Sequence, residues 1–173
     1  MSALSPNQIL ITNEGGQCVE EYNLDTGEMN PFAAACDGVA GSSHTGHRIN
    51  DVAVNEPMGV LYDRGQKVYV SIHHTNTILS IDTTTDQSSV LLTTSERPRL
   101  LGYGLNSDII HITLNHGFGV IEDGSLEYII GTTSGQDRGK TIGDISTTQM
   151  WHPSAFVEVD NGTWVIADRS NHR

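Results

Sequence analysis

Short apolar alternations, each bounded by Gly, Asn, Asp or Thr, recur from Gln8 to Ala167, and helical periodicity is almost absent. A period of two reads as half-buried strand. The alternations repeat as units, and Pro57, Pro98 and Pro153, 41 and 55 residues apart, open three of them. The units span residues 7–35, 57–93, 98–131 and 153–173, with looser Gly-rich connectors at 36–56 and 131–152. The second and third units each hold four predicted strands. The first is expected to begin part-way, with strands at Gln8–Thr12, Cys18–Asn23 and Glu28–Ala34. The last holds two, Phe156–Val159 and Thr163–Ala167, joined by Asp160-Asn161-Gly162, where Asn-Gly supplies the positive φ values of a tight hairpin. Four antiparallel strands in roughly 40 to 50 residues is the blade of a β-propeller. The expected fold is therefore all-β, a propeller of four-stranded antiparallel blades with a little over three blades present.

Aligning the units on their second strands produces two informative columns. Gly16, Asn76, Gly117 and Asn171 fall together just past the strand end. Gly and Asn adopt left-handed backbone most readily, so this column predicts the turn between strands two and three. Three residues earlier stand Asn13, His73, Leu114 and Asp168, a polar but uneven set that suits local turn hydrogen bonds.

The last unit carries Pro153, Ala155, Gly162, Ile166-Ala167-Asp168 and Asn171-His172-Arg173, and in this it resembles the NHL-repeat family. The match weakens through Pro57–Ile81 and is faint in the first and third units, where Leu114 and Gly119 replace the family's Asp and Arg. The resemblance implies a six-bladed parent ring. On that reading the chain is a fragment with further blades beyond Arg173, or one of two half-rings that pair as a dimer. It also implies two functions: a binding scaffold for a protein or small ligand, or part of a lactonase- or lyase-like enzyme. In the enzyme, His73 or His111 would reach a metal completed by missing blades.

Composition narrows the partners. A net charge of −12 would repel a phosphate backbone, which disfavours nucleic acid. No apolar run is long enough to cross a bilayer, and Met1 to Gln8 lacks the core of a signal peptide, so no membrane partner is expected. Cys18 and Cys36 flank the predicted turn at Asp25-Thr26-Gly27 and admit either a bridge or two free buried thiols. The sequon Asn161-Gly162-Thr163 coincides with the hairpin turn, which accounts for it without a sugar.

No motif for catalysis is complete. There is no GxSxG and no CxxC; Asp137-Arg138-Gly139-Lys140 is not a calcium loop; Gly139-Lys140-Thr141 mimics only the end of a phosphate loop. The turn acids Asp25, Asp63, Asp82, Asp123 and Asp160 have local structural work. Among eight histidines, His44, His47 and His73 are the candidate ligands should a divalent metal bind, since the connectors of such folds line one face. Tyr69 and Trp164 occupy matching places on second strands and are expected to pack between blades. Trp151, His152 and Arg169, on connector and turn, are the candidate contacts for a ligand or protein partner.

Overall fold

The computed structural model describes residues 1–41, 43–48, 51–131, 143–145 and 147–173. These residues are all-β, in antiparallel sheets of four, five, four and two strands, and they divide into two compact units, Met1–Thr93 and Thr94–Arg173.

In the first unit, β1 (Ser2–Ser5), β2 (Gln8–Asn13), β3 (Cys18–Asn23) and β4 (Met29–Ala33) form one sheet in chain order. The predicted part-way start is thus corrected: Ser2 and Ala3 pair with Leu10 and Ile9, completing four strands. The second sheet holds β5 (Gly46–His47), β6 (Pro57–Tyr62), β7 (Lys67–Ile72), β8 (Thr77–Asp82) and β9 (Gln87–Thr93), ordered β5-β9-β8-β7-β6. Its fifth strand comes from the connector expected to be loose. There Gly46 and His47 pair with Ser88 and Gln87, and Arg48 lies 4.5 Å over the Phe32 ring with its Nε 2.7 Å from Asp86. Leu10, Val19 and Phe32 of the first sheet share a core with Val60, Val70 and Leu79 of the second. Each such side chain contributes about 1.5–3 kcal/mol when fully buried.

Cys18 and Cys36 form a disulfide, which overturns the alternative of two free thiols. Their separation along the chain hid nothing; their spatial approach depends on how the connector folds back, which no local pattern encodes.

In the second unit, β10 (Pro98–Tyr103), β11 (Ile110–Leu114), β12 (Gly117–Glu122) and β13 (Ser125–Gly131) form a sheet, and β14 (Pro153–Asp160) pairs with β15 (Thr163–Asp168) in another. Phe156 and Trp164 attach the two-stranded sheet to its neighbour. Their rings lie 5.1 and 5.2 Å from that of Phe118, and Trp164 lies 4.2 Å from His111. The opposite face leaves Val157, Val159 and Val165 more than half exposed.

The turns show how polar side chains organise the strands. Asp82 is the clearest case: the Thr84 hydroxyl and the Thr85 and Thr84 amides all donate to it and hold its carboxyl at about 2. Asp63 and Asn23 accept turn amides in the same way. Asp123 and Gly124 are both left-handed, at φ 50° and 74°, as a two-residue hairpin requires. At Asn161-Gly162 only Gly162 is, at 77°, and β14 carries an irregularity between Glu158 and Asp160 instead.

Strands two and three are linked alike throughout. Asn13 pairs with Cys18, Ile72 with Thr77 and Thr113 with Phe118, each five residues on. Asp168 and Arg173 likewise exchange both backbone hydrogen bonds, at 2.8 and 3.4 Å. The left-handed residue is Gln17, Asn76 or His172, at φ 54°, 55° and 56°. The predicted turn column is therefore right at Asn76 and displaced by one residue at Gly16 and Asn171; Gly117 opens β12 and has no positive φ. Asn171 sits inside a 3-10 turn, Arg169–Asn171. The Asp137 to Thr141 motifs lie outside the described residues, and no described helix is long and apolar enough to cross a membrane.

Candidate functional site

The place where β15 ends is a heavily hydrogen-bonded turn. Asp168 is only 2% exposed, and a carboxylate buried so far must be matched by donors. Its Oδ1 accepts from the Trp151 amide at 2.8 Å, and its Oδ2 from Asn171 Nδ2 at 2.7 Å and Arg173 Nε at 3.0 Å. The backbone repeats the connection: the Ser170 amide donates to Trp151 O at 3.0 Å, and the His152 amide to Asn115 O at 2.7 Å. Asn171 and Arg173 also reach Gln149 O. Asn171 is thus a side-chain fastener, where the sequence pattern predicted a backbone device.

This fastening ties Trp151 and His152 to the turn that Arg169 opens. The His152 ring lies 5.7 Å from Trp151 and 6.0 Å from His116, and its Nδ1 is 3.2 Å from Ser170 Oγ. Arg169 is exposed, and no described residue pairs with its guanidinium. A half-buried indole, an imidazole and a guanidinium offer a stacking face and charge-assisted donors for an anionic group.

Glu96 is 7% exposed and accepts the His116 amide at 2.9 Å. Burial raises its carboxyl above the usual range, against the lowering effects of that amide and of the His116 ring. His111 is buried, donates Nδ1 to Ile109 O at 3.0 Å, and is held below the usual imidazole range by that burial. Glu158 caps the neighbouring hairpin: the Gly162 and Leu105 amides donate to it at 2.7 and 2.6 Å and lower its carboxyl.

The first unit fastens β6 in a related way. His73 Nδ1 lies 3.0 Å from Glu56 Oε2, the His73 amide donates to Glu56 O at 3.0 Å, and the Glu56 amide donates to Gln17 Oε1 at 2.8 Å. Glu56 and His152 precede the opening prolines Pro57 and Pro153, and both adopt φ 53°. Glu56 and Glu96 carry roles that the sequence pattern did not assign. The available signal was an acid one or two residues before Pro57 and Pro98.

The three metal candidates keep separate partners: His44 donates to Ala53 O at 3.2 Å, His47 faces Asp86 at 3.5 Å, and His73 faces Glu56. Among the described residues, the set of three ligand-type side chains that converge is Cys18, Glu20 and Cys36, and its sulfurs are joined to each other.

No protein-family model and no curated protein sequence matches the chain. Solved structures do. The chain is similar to an auxiliary nutrient binding protein from Bacteroides thetaiotaomicron VPI-5482, with TM-score 0.64 and 17% identity, over 97% of this chain and 44% of that one. It is also similar to the Kuenenia stuttgartiensis hydrazine synthase, with TM-score 0.50 and 13% identity, over 73% of this chain and 33% of that one. The chain spans less than half the length of either, and the likeness is one of fold.

Proposed function

We propose that the four sheets are blades of an NHL-like β-propeller and that the chain is a binding scaffold. Its ligand, free or displayed on a protein, has a flat face and an anionic group. The observation that carries this reading is that Trp151 and His152 are tied to the turn held by the buried Asp168, a turn that the exposed Arg169 opens. Rigid fastening lowers the ordering cost of binding, and Trp and Arg are the side chains that most often anchor a ligand or partner. The likeness to a nutrient binding protein supports a small-molecule ligand.

The test is a calorimetric titration with a panel of aromatic carboxylates and acidic sugars. A hit is expected to weaken at least tenfold in Arg169→Ala and in Trp151→Ala, with unchanged circular dichroism. A panel without hits, or a hit indifferent to both substitutions, would remove this reading.

A further inference from the structure

Cys18, Glu20 and Cys36 bring three ligand-type groups to one face of the first sheet. Residues two apart on a strand share a face, so Cys18 and Glu20 of β3 point the same way, and Asn13 of β2, paired with Cys18, joins them. Cys36 arrives from the connector that follows β4. The two sulfurs and a Glu20 carboxylate oxygen all lie within 4.8 Å of one another. Asn13 Nδ2 donates to Glu20 Oε2 at 3.1 Å, which sets the direction of that carboxylate. Cys18 is sealed from solvent, whereas Glu20 and Cys36 are half-buried, so the group is closed toward the core and reachable from outside.

The disulfide is one of several ties that hold Cys36 here. On either side of it, the Ala34 amide donates to Arg48 O at 2.6 Å and the Gly38 amide to Gly16 O at 3.1 Å. Gly16 lies in the turn that leads into Cys18. Reduction by a dithiol delivers two electrons and two protons to the S–S bond, leaves two thiols and converts the dithiol to its own disulfide. The backbone ties at Ala34 and Gly38 involve no sulfur and survive that step, so the two thiols stay face to face.

We propose that the reduced chain binds a thiophilic divalent cation, zinc or a metal of its class, through Cys18 Sγ, Cys36 Sγ and a Glu20 oxygen. Binding expels both thiol protons, and a water completes a tetrahedral set. A disulfide holds its sulfurs about 2 Å apart and a zinc ion holds two thiolates about 4 Å apart, a change within reach of side-chain rotation. Two thiolates select against calcium and magnesium, which take oxygen ligands. The field of a chain of charge −12 draws cations toward the site. The connector is then fastened to β3 in both redox states, by a covalent bond when oxidised and through the ion when reduced. No residue of the binding reading takes part, so the two inferences stand or fall separately.

Cobalt(II) is the probe, because thiolate ligands give it a sulfur-to-metal charge-transfer band and tetrahedral geometry gives it strong visible bands. The full chain is reduced with a dithiol, freed of reductant and trace metal without air, and titrated. One cobalt per chain is expected, with both sets of bands, and zinc should displace it; the oxidised chain should show neither. Glu20→Ala should weaken binding at least about tenfold. Zinc should also raise the urea midpoint of the reduced chain, read by circular dichroism, which separates a folded site from capture by unfolded thiols. A reduced chain without the charge-transfer band would overturn the proposal. So would one cobalt shared between two chains, an affinity indifferent to Glu20→Ala, or a urea midpoint that zinc leaves unchanged or lowers.

Discussion

The lead-in to β6 and the lead-in to β14 perform the same backbone task with different chemistry. At each, a left-handed residue precedes proline, and the segment is tied to the turn that follows strand two. At β6 the side-chain tie is His73 against Glu56, whose side chains are 13% and 37% exposed. At β14 it is Asp168, sealed from solvent and satisfied by three donors. The half-buried pair can exchange its bond for water at less cost than the sealed carboxylate. One geometry is thus held loosely in the first unit and tightly in the second, and the Asp-x-x-Asn-x-Arg pattern of the second marks a tight fastening rather than a shared chemistry.

The largest expected effect tests whether the two units differ in what secures them. Reducing the disulfide, which closes a loop of similar length to one worth about 3 kcal/mol, acts only within the first unit. Both tryptophans, Trp151 and Trp164, lie in the second unit. In urea, the reduced chain should lose circular dichroism before tryptophan fluorescence changes; coincident transitions would show that the units unfold as one. Next comes Asp168→Ala, which strands the Trp151 amide and Asn171. It should lower stability by about 2 kcal/mol, read as an earlier fluorescence midpoint. Glu56→Gln at the other lead-in should cost less than about 1 kcal/mol, since that pair is partly open to water. A cost equal to that of Asp168→Ala would abolish the contrast.

The smallest effect has the opposite sign. The folded chain holds the Glu96 carboxyl above its ordinary range, so it binds that proton more tightly than the unfolded chain does. The associated stability is present below the unfolded pKa and is lost as pH rises through the folded one. Glu96→Gln, which keeps an acceptor for the His116 amide, should flatten that loss and leave the second unit at least as stable at neutral pH. Urea midpoints between about pH 4 and 7 would reveal it; an unchanged slope would show that Glu96 does not titrate in that window.

The strands were legible wherever alternation and a turn dipeptide coincided, as at Lys67–Ile72 or on either side of Asp123-Gly124. Ser2–Ser5 was not, because four residues with two serines carry no periodic signal, although Pro6-Asn7 marks a turn before β2. Gly46–His47 was illegible for another reason: a two-residue strand exists only through its distant partners, Ser88 and Gln87. The same holds for the candidate site. Trp151, His152 and Arg169 could be picked out as aromatic and charged residues near turns, but the tie of Trp151 to the turn after β15 depends on Asp168, whose reach to the Trp151 amide spans 17 residues. Asn171 is ambiguous in the sequence because Asn suits both left-handed backbone and side-chain bonding; in the fold its side chain bonds Asp168.

The backbone half of each fastening has its own implication for how such a chain can drift. His73 N to Glu56 O, Asn115 N to Arg97 O and Ser170 N to Trp151 O recur in three turns while the side chains around them differ. A contact carried by the main chain is inherited whatever the codon specifies. Saturation mutagenesis should therefore find positions 73 and 97 permissive to replacement, with proline as the costly exception at 73, where the amide is the donor.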